Sequence, residues 1–383
     1  MQHYPGPNTH LVNTPNGLAQ FSTPALLLDL EQAEGNIQTM MEHCQHTGQK
    51  LRPHAKSHKS SLLAKKQIEA GAVGICCATL REAEAMIANG LNSVLLTSPI
   101  AGLPKVNRLI QLNQQNSNIL AVVDDPATVT LISEIQQQTN PDKQLGLLVD
   151  LDIGTHRTGT ANVDGARALA LLITKSKNLA FRGIQAYAGH LQHIENYSER
   201  LEAMTIQAAL LTKLVAALKA DGITPEIVTG GGTGTYDIDH RFDVFTELQA
   251  GSYLFTDVQY NTVQLNEGDT KPFGPSLTVL ATVVSAIHNT HSVIDAGLKS
   301  FATDGPVPEI IRGAPAEATY RFMGDEHGAV VYPPGNKKIL STGDRVSCIV
   351  PHCDPTVNLY NNYHCMKGDM LVQIIPIDAR GNS

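Results

Sequence analysis

The segment KLRPHAKSHK, residues 50–59, sets two lysines and two histidines behind a proline in a chain of which only 17% is charged. A lysine in such company can do more than solvate a surface. If LRPHAK is a β-strand, its side chains alternate, so Arg52, His54 and Lys56 share one face and Leu51, Pro53 and Ala55 the other. Neighbouring cations and desolvation both disfavour an ammonium, and a lysine held as the free amine attacks carbonyls to form Schiff bases. Lys56 is then the reactive candidate, while Lys59 opens the following helix. The alternative for Lys56 is a solvated lysine at a rim.

Three further constellations invite chemistry. TGGGTGT, residues 229–235, is a run of small residues whose backbone N–H groups can close on an anion, and AGS, residues 250–252, could complete that cradle with the Ser252 hydroxyl. The alternative is a pair of tight turns. In PHCDPT, His352 and Asp354 follow the strand-like RVSCIV two residues apart and share a face, with Cys353 pointing away. An imidazole and a carboxylate together can grip one divalent cation, Mn²⁺, Mg²⁺ or Zn²⁺, with the carboxylate favouring harder ions; a simple hydrogen-bonded pair is the other reading. AYAGHLQH supplies Tyr187, which can pack on a flat cofactor, together with His190, Gln192 and His193. Histidine is the residue whose ordinary pKa suits a general base.

DIGTHRTG supplies Asp152, His156 and Arg157 as anchors for a cofactor or substrate, unless Asp152 merely caps a turn. GDEHG, with Asp325, Glu326 and His327, is either a site element or a hairpin turn.

These residues need a scaffold, and the chain alternates short β-rich runs with helical ones. LRPHAK, VGICCAT, SVLLTS, ILAVVDD, LGLLVDLD, FRGIQAY, EIVTGG and ELQAGSY are separated by amphipathic or alanine-rich segments, several ending in glycine. Strand–helix–strand repetition implies parallel pairing, and eight such strands predict a closed (β/α)₈ TIM-type barrel whose sites lie at the strands' C-terminal ends. After Asn266 the texture turns to strands punctuated by Gly, Pro, Asn and Asp. We therefore expect a barrel over residues 24–265 and a β-rich domain over 266–383 together with 1–23. A length of 383 residues accommodates both, and a net charge of −8 disfavours nucleic acid and anionic membrane as partners. The adjacent cysteines Cys76 and Cys77 do not suit a disulfide framework, no signal-peptide pattern stands at the start, and no apolar run of membrane-spanning length is evident, so a cytoplasmic protein is expected.

TPALLLDL, LRPHAKSHK, GICCAT, TGGGTGT, ELQAGSY, DAGLKS, DEHG and PHCDPTVNLY occur in this order. Together they resemble the metal-activated D-threonine aldolases, within the alanine racemase-like fold type of pyridoxal-phosphate enzymes, from about Thr23 to the C-terminus. The resemblance implies that Lys56 carries the cofactor, that Thr233, Gly251 and Ser252 hold its phosphate or the surroundings, and that Tyr260 lies near its ring. It implies His352 and Asp354 as metal ligands with Mn²⁺ as the activator, His193 as catalytic base, and a homodimer. Arg157 and Tyr187 join the expected cofactor contacts from their rim positions. The implied reaction cleaves a D-β-hydroxy-α-amino acid to glycine and an aldehyde. Related D-serine dehydratases carry cysteine where Asp354 stands, which favours the aldolase; a D-serine or 3-hydroxyaspartate dehydratase is the alternative enzyme. Many relatives have glutamine after the paired cysteines, whereas Ala78 and Thr79 follow here. A non-catalytic pyridoxal-phosphate carrier and a metal-only barrel hydrolase are the readings from other classes.

Overall fold

The computed structural model describes residues 6–15, 17–115, 118–336 and 340–381. After two 3-10 turns, Thr9–Leu11 and Gly17–Gln20, come a strand, β1 (Ala25–Asp29), and the helix α1 (Leu30–Thr47), which the Asp29 carboxylate caps by accepting from Gln32 N. Eight parallel strands follow: β2 (Lys50–Leu51), β3 (Ile75–Cys77), β4 (Ser93–Leu96), β5 (Asn118–Val123), β6 (Leu145–Asp150), β7 (Leu179–Ala186), β8 (Ile227–Gly230) and β9 (Glu247–Leu248). Between them run α2 (Ser61–Glu69), α3 (Leu80–Ala88), α4 (Leu103–Gln114), α5 (Pro126–Thr139), α6 (Val163–Lys175), α7 (Tyr197–Ala220) and the single turn α8 (Tyr236–Asp239). Gly90 and Gly222 follow α3 and α7 at φ 88° and 78°, the left-handed exit that glycine adopts without a Cβ clash. Each of the eight strand-like runs in the sequence overlaps one of these strands.

The barrel is the expected one, but its first strand is shorter than the sequence pattern suggests. Regular pairing of β2 with β9 covers only two residues, and closure against β3 is completed by the His54–Cys76 bridge and by bonds from Val73 N to Leu51 O and Cys76 N to Pro53 O. Pro53 has no N–H to donate, and after His54 the chain winds into a 3-10 turn over Ala55–Ser57. Alternation therefore stops before Lys56. Arg52 lies at the opposite end of the barrel, gripped by both carboxylate oxygens of Glu247 (2.8 and 3.1 Å) and by Ser93. The expected cluster of Arg52, His54 and Lys56 on one strand face is thus corrected.

Packing follows the period-two rule inside β3. Cys76 joins Leu95, Val122, Leu148 and Ile227 in the barrel interior, and Cys77 faces the helix layer beside Leu80 and Leu96. The helix α7 is the one element among the described residues long and apolar enough, by composition, to cross a membrane, so the expectation that no run reaches that length is corrected. In this fold it lays Met204, Ala208, Leu211, Leu214 and Leu218 onto the barrel core.

The second unit is a nine-stranded sheet built from β10 (Leu277–Ser285), β11 (His291–Ile294), β12 (Glu309–Arg312), β13 (Thr319–Phe322), β14 (Gly328–Val331), β15 (Arg345–Ile349), β16 (Asn362–Lys367), β17 (Met370–Pro376) and β1. A short helix α9 (Val258–Asn261) precedes it, and α10 (Cys353–Asn358) interrupts it. Ala25–Asp29 runs antiparallel to β10 and parallel to β16, so a barrel starting at residue 24 is a correction too: the first strand of that segment lies in the other sheet. Its apolar run ALLLD has partners on both edges there. α1 bridges the two units, with Ile37 and Met40 in a cluster that also holds Leu28, Tyr253, Leu277 and Tyr363.

Candidate active site

At the C-terminal rim of the barrel lies a cavity of about 320 Å³, lined among others by His54, Lys56, Thr97, Arg157, Tyr187, Thr233, Gly251, Ser252 and Tyr260. That volume suits a small-molecule cofactor. The 3-10 turn after the first strand lifts Lys56 into this space, where its Nζ donates to Asp354 Oδ1 at 2.6 Å. Lys59 points elsewhere: it is buried against Glu82 Oε1 at 3.1 Å. The sequence choice between the two lysines is therefore decided by position.

Lys56 is not the free amine expected. Desolvation works against its ammonium, but the Asp354 carboxylate beside it outweighs that effect and holds its pKa above the ordinary lysine range. The histidines beside it offer no competing charge. Burial and then the Lys56 cation push His54 down to about 3, and burial pushes His58 down to about 4.

The cradle at the ends of β8 and β9 is held from beneath. Gly234 N donates to Gln192 Oε1 at 3.0 Å and Gly232 N to Thr235 Oγ1 at 3.2 Å, while Thr233 Oγ1 accepts from Tyr253 N at 2.9 Å. A Cβ on Gly232 would stand 2.4 Å from Gln192 Oε1, and one on Gly251 would stand 2.8 Å from His54 O. No protein acceptor for the N–H of Thr233 or Ser252 occurs among the described residues. Unpaired donors at a turn of small residues fit a phosphate. Below them Asp239 accepts from Thr235 Oγ1, and burial pushes its carboxyl up to about 7. A carboxyl that readily keeps its proton there does not repel an anion above. Asp239 escaped sequence reasoning, and Gln192 was marked only by its position in AYAGHLQH, because its contacts with Gly234 N and Thr235 Oγ1 lie more than 40 residues away.

His352 and Asp354 come together, though not as alternating strand residues. β15 ends at Ile349, His352 precedes α10, and Asp354 stands in its first turn. His352 Nδ1 lies 2.8 Å from Asp304 Oδ2, which aims Nε2 at Asp354 Oδ2, 3.5 Å away. Burial opposes the imidazolium, yet Asp354 and Asp304 hold it up at about 9. An imidazole oriented by one carboxylate toward another is the donor chemistry of a divalent-cation site. Asp304 was invisible to spacing, being 48 residues distant. Cys353 does not point away as expected: it is buried, its Sγ donating to Asp354 Oδ2 at 3.4 Å and its N–H to Asp257 Oδ2.

His193 stands with its ring 4.7 Å from that of Tyr260, and Arg157 lies 6.0 Å over the Tyr187 ring. Burial first, then the positive His352 and Lys56, lower the His193 pKa, so the imidazole is free to accept a proton. Other candidates take the structural role. Asp152 caps its own turn by accepting from Gly154 N and His156 N, with His156 exposed beside it. Asp325, Glu326 and His327 form the hairpin between β13 and β14, the two acids pairing with Lys299. His190 sits 3.4 Å from Thr155 Oγ1.

A barrel presenting a lysine opposite an anion cradle, with a β-rich unit closing the mouth, defines the alanine racemase-like class of pyridoxal-phosphate enzymes. Comparison with known proteins agrees. The family model for the alanine racemase N-terminal domain matches residues 28–259, and a serine dehydratase domain model matches residues 276–366. The chain belongs to this family, in the branch of pyridoxal-phosphate lyases of D-β-hydroxy amino acids. It is 35% identical to a D-threonine aldolase of Arthrobacter sp. over 96% of this chain and 94% of the relative. It is 33% identical to a 3-hydroxy-D-aspartate aldolase of Paracoccus denitrificans (strain Pd 1222), over 95% and 93%. The crystal structure of D-threonine aldolase from Filomicrobium marinum superposes with a TM-score of 0.90 at 32% identity, covering 95% of this chain and 97% of that one.

Proposed function

We propose that this protein cleaves the Cα–Cβ bond of D-threonine and related D-β-hydroxy-α-amino acids to glycine and an aldehyde, using pyridoxal phosphate and a divalent cation, Mn²⁺ first. The observation that carries this reading is the 2.6 Å contact between Lys56 Nζ and Asp354, which brings the candidate cofactor lysine and the cation donors into one cleft. Bound pyridoxal phosphate supplies the electron sink for the electrons left at Cα. A cation at His352 and Asp354 supplies the Lewis acidity that makes a β-hydroxyl acidic near neutral pH, as metal-bound water falls from about 15.7 to about 7.

The chain's own groups do the rest. Lys56 holds the cofactor; Thr233, Gly251 and Ser252 receive its phosphate, and Tyr187, Tyr260 and Arg157 bound its ring. His193, with its lowered pKa and its place beside Tyr260, accepts the proton from the substrate β-hydroxyl oxygen. Asp304 keeps the His352 ring turned toward Asp354. The alternative is a dehydratase, and the match to a D-threo-3-hydroxyaspartate dehydratase of Delftia sp. (strain HT23), 30% identical over 75% of this chain, keeps it in view. Asp354, rather than a thiolate, favours the harder ion and the aldolase.

The test is D-threonine with the purified protein, with and without Mn²⁺ and pyridoxal phosphate. Glycine and acetaldehyde that vanish on chelation are expected; ammonia and a keto acid would replace this reading with the dehydratase. His193→Ala should lose on the order of 10²–10⁴ in kcat, the range of general-base catalysis, with cofactor absorbance unchanged. A near-normal kcat would remove His193 from the role. The reading includes a homodimer, checked by sedimentation equilibrium.

A further inference from the structure

On the outer wall of the barrel, α1 and the segment after β8 bring three side chains together: His43, Asp237 and His240. His43 Nδ1 lies 4.0 Å from Asp237 Oδ1, the two imidazole rings are 5.6 Å apart at their centroids, and the three ligand atoms all fall within 4.8 Å of one another. Their orientation is fixed by neighbours. His43 Nε2 is 3.0 Å from the Tyr236 carbonyl oxygen, which can only accept, so Nε2 carries the hydrogen and Nδ1 of the neutral ring presents a lone pair. Asp237 Oδ2 accepts from the Tyr197 hydroxyl at 3.1 Å, leaving Oδ1 toward the imidazoles. His240 Nδ1 is buried and has no hydrogen-bond partner.

An orphaned buried nitrogen is destabilising, and the inward lone pair of His43 cannot satisfy Asp237. One cation between them satisfies all three. A ring N–H on a backbone carbonyl and a carboxylate held by a hydroxyl are also the outer contacts that ligating side chains make.

We propose that His43, Asp237 and His240 bind a divalent transition-metal ion of the zinc type, at a structural site separate from His352 and Asp354. Two imidazoles and one carboxylate suit that ion; Mg²⁺ and Ca²⁺ call for oxygen donors. Metal–nitrogen distances of about 2.0–2.1 Å set tetrahedral ligands about 3.4 Å apart, so the three side chains close by an ångström or so on loading. His46, one turn along α1 and exposed, lies outside this three-ligand group. The ion would tie α1, which leads out of the β-rich sheet, to the segment that follows the phosphate cradle.

The experiment titrates Zn²⁺ alone into full-length, chelator-stripped protein carrying His352→Ala and Asp354→Asn, which disable the cleft donors. One Zn²⁺ per chain and a raised melting temperature are expected, and both should disappear when His43→Gln or His240→Gln is added. No bound Zn²⁺, or one equivalent that survives both substitutions, would overturn the proposal. Circular dichroism and the melting temperature in chelator check that each variant folds. A variant that does not fold is replaced by wild-type protein loaded with Cu²⁺, whose nitrogen hyperfine pattern should show a two-imidazole site that His46→Gln does not abolish; a spectrum with fewer than two nitrogens counts against it. The proposal stands apart from the lyase reading, because activity is nowhere its readout.

Discussion

Lys56 and Lys59 are three residues apart and chemically alike, yet their surroundings give them opposite duties. Lys56 is half-exposed in the cleft against Asp354, whereas Lys59 is buried against Glu82, whose other oxygen accepts from Ala78 N. Lys56→Ala should abolish the visible absorbance of lysine-bound pyridoxal phosphate while leaving the fold intact. Lys59→Ala should keep that absorbance and lose about 3–5 kcal/mol of stability, the cost of leaving a buried carboxylate without its cation. Absorbance spectra and urea denaturation of the two variants check this, and the reverse pattern would transfer the cofactor to Lys59.

The same division holds for elements. The turn after β8 and the turn after β9 are shaped for close approach, but neither holds its form alone: Gln192, from the loop after β7, clamps the first through Gly234 N and Thr235 Oγ1. Gln192→Ala leaves the buried Gly234 N–H without a partner, at about 1–3 kcal/mol. Part of that falls on the cofactor-ready conformation, so affinity for pyridoxal phosphate should drop by roughly tenfold, about 1.4 kcal/mol. Equilibrium dialysis of the cofactor measures it; unchanged affinity would mean that the turn keeps its shape without the clamp.

At the scale of the whole molecule, the barrel and the β-rich sheet meet around the segment that carries Lys56. The Tyr363 hydroxyl of β16 donates to His58 O, Ala379 N donates to Lys59 O, and Asp378 accepts from Ser61 N. His58 is fully buried in this joint, with Nδ1 accepting from Ser60 N and its pKa pushed down to about 4. Its folded-state pKa lies below the unfolded value near 6.5, so on acidification the unfolded chain takes the proton first. Stability is full above pH 6.5 and falls as pH drops toward 4, by roughly 2–3 kcal/mol at pH 4.5 from this group. His58→Asn keeps an acceptor for Ser60 N and should remove that increment, read as the difference in unfolding free energy between pH 7 and pH 4.5. An equal loss in both proteins would locate the acid sensitivity elsewhere.

The sequence by itself determined the barrel, because the alternation of strand and helix periodicities, with glycine stops after several of the helices, is a local property that repeats along the chain. It also singled out Lys56, the glycine cradle and the His352–Asp354 pair, since each is a short run whose residue types carry the chemistry. Tertiary structure decided what those groups meet. Pro53 ended the first strand early, Arg52 went to the far end of the barrel, and Lys56 found Asp354, 298 residues away. It also placed Ala25–Asp29 in the β-rich sheet, set Asp304 behind His352, and drew His43 to Asp237 and His240. None of these contacts leaves a trace in spacing, because pairing across hundreds of residues depends on how packed elements come to rest and not on any local periodicity.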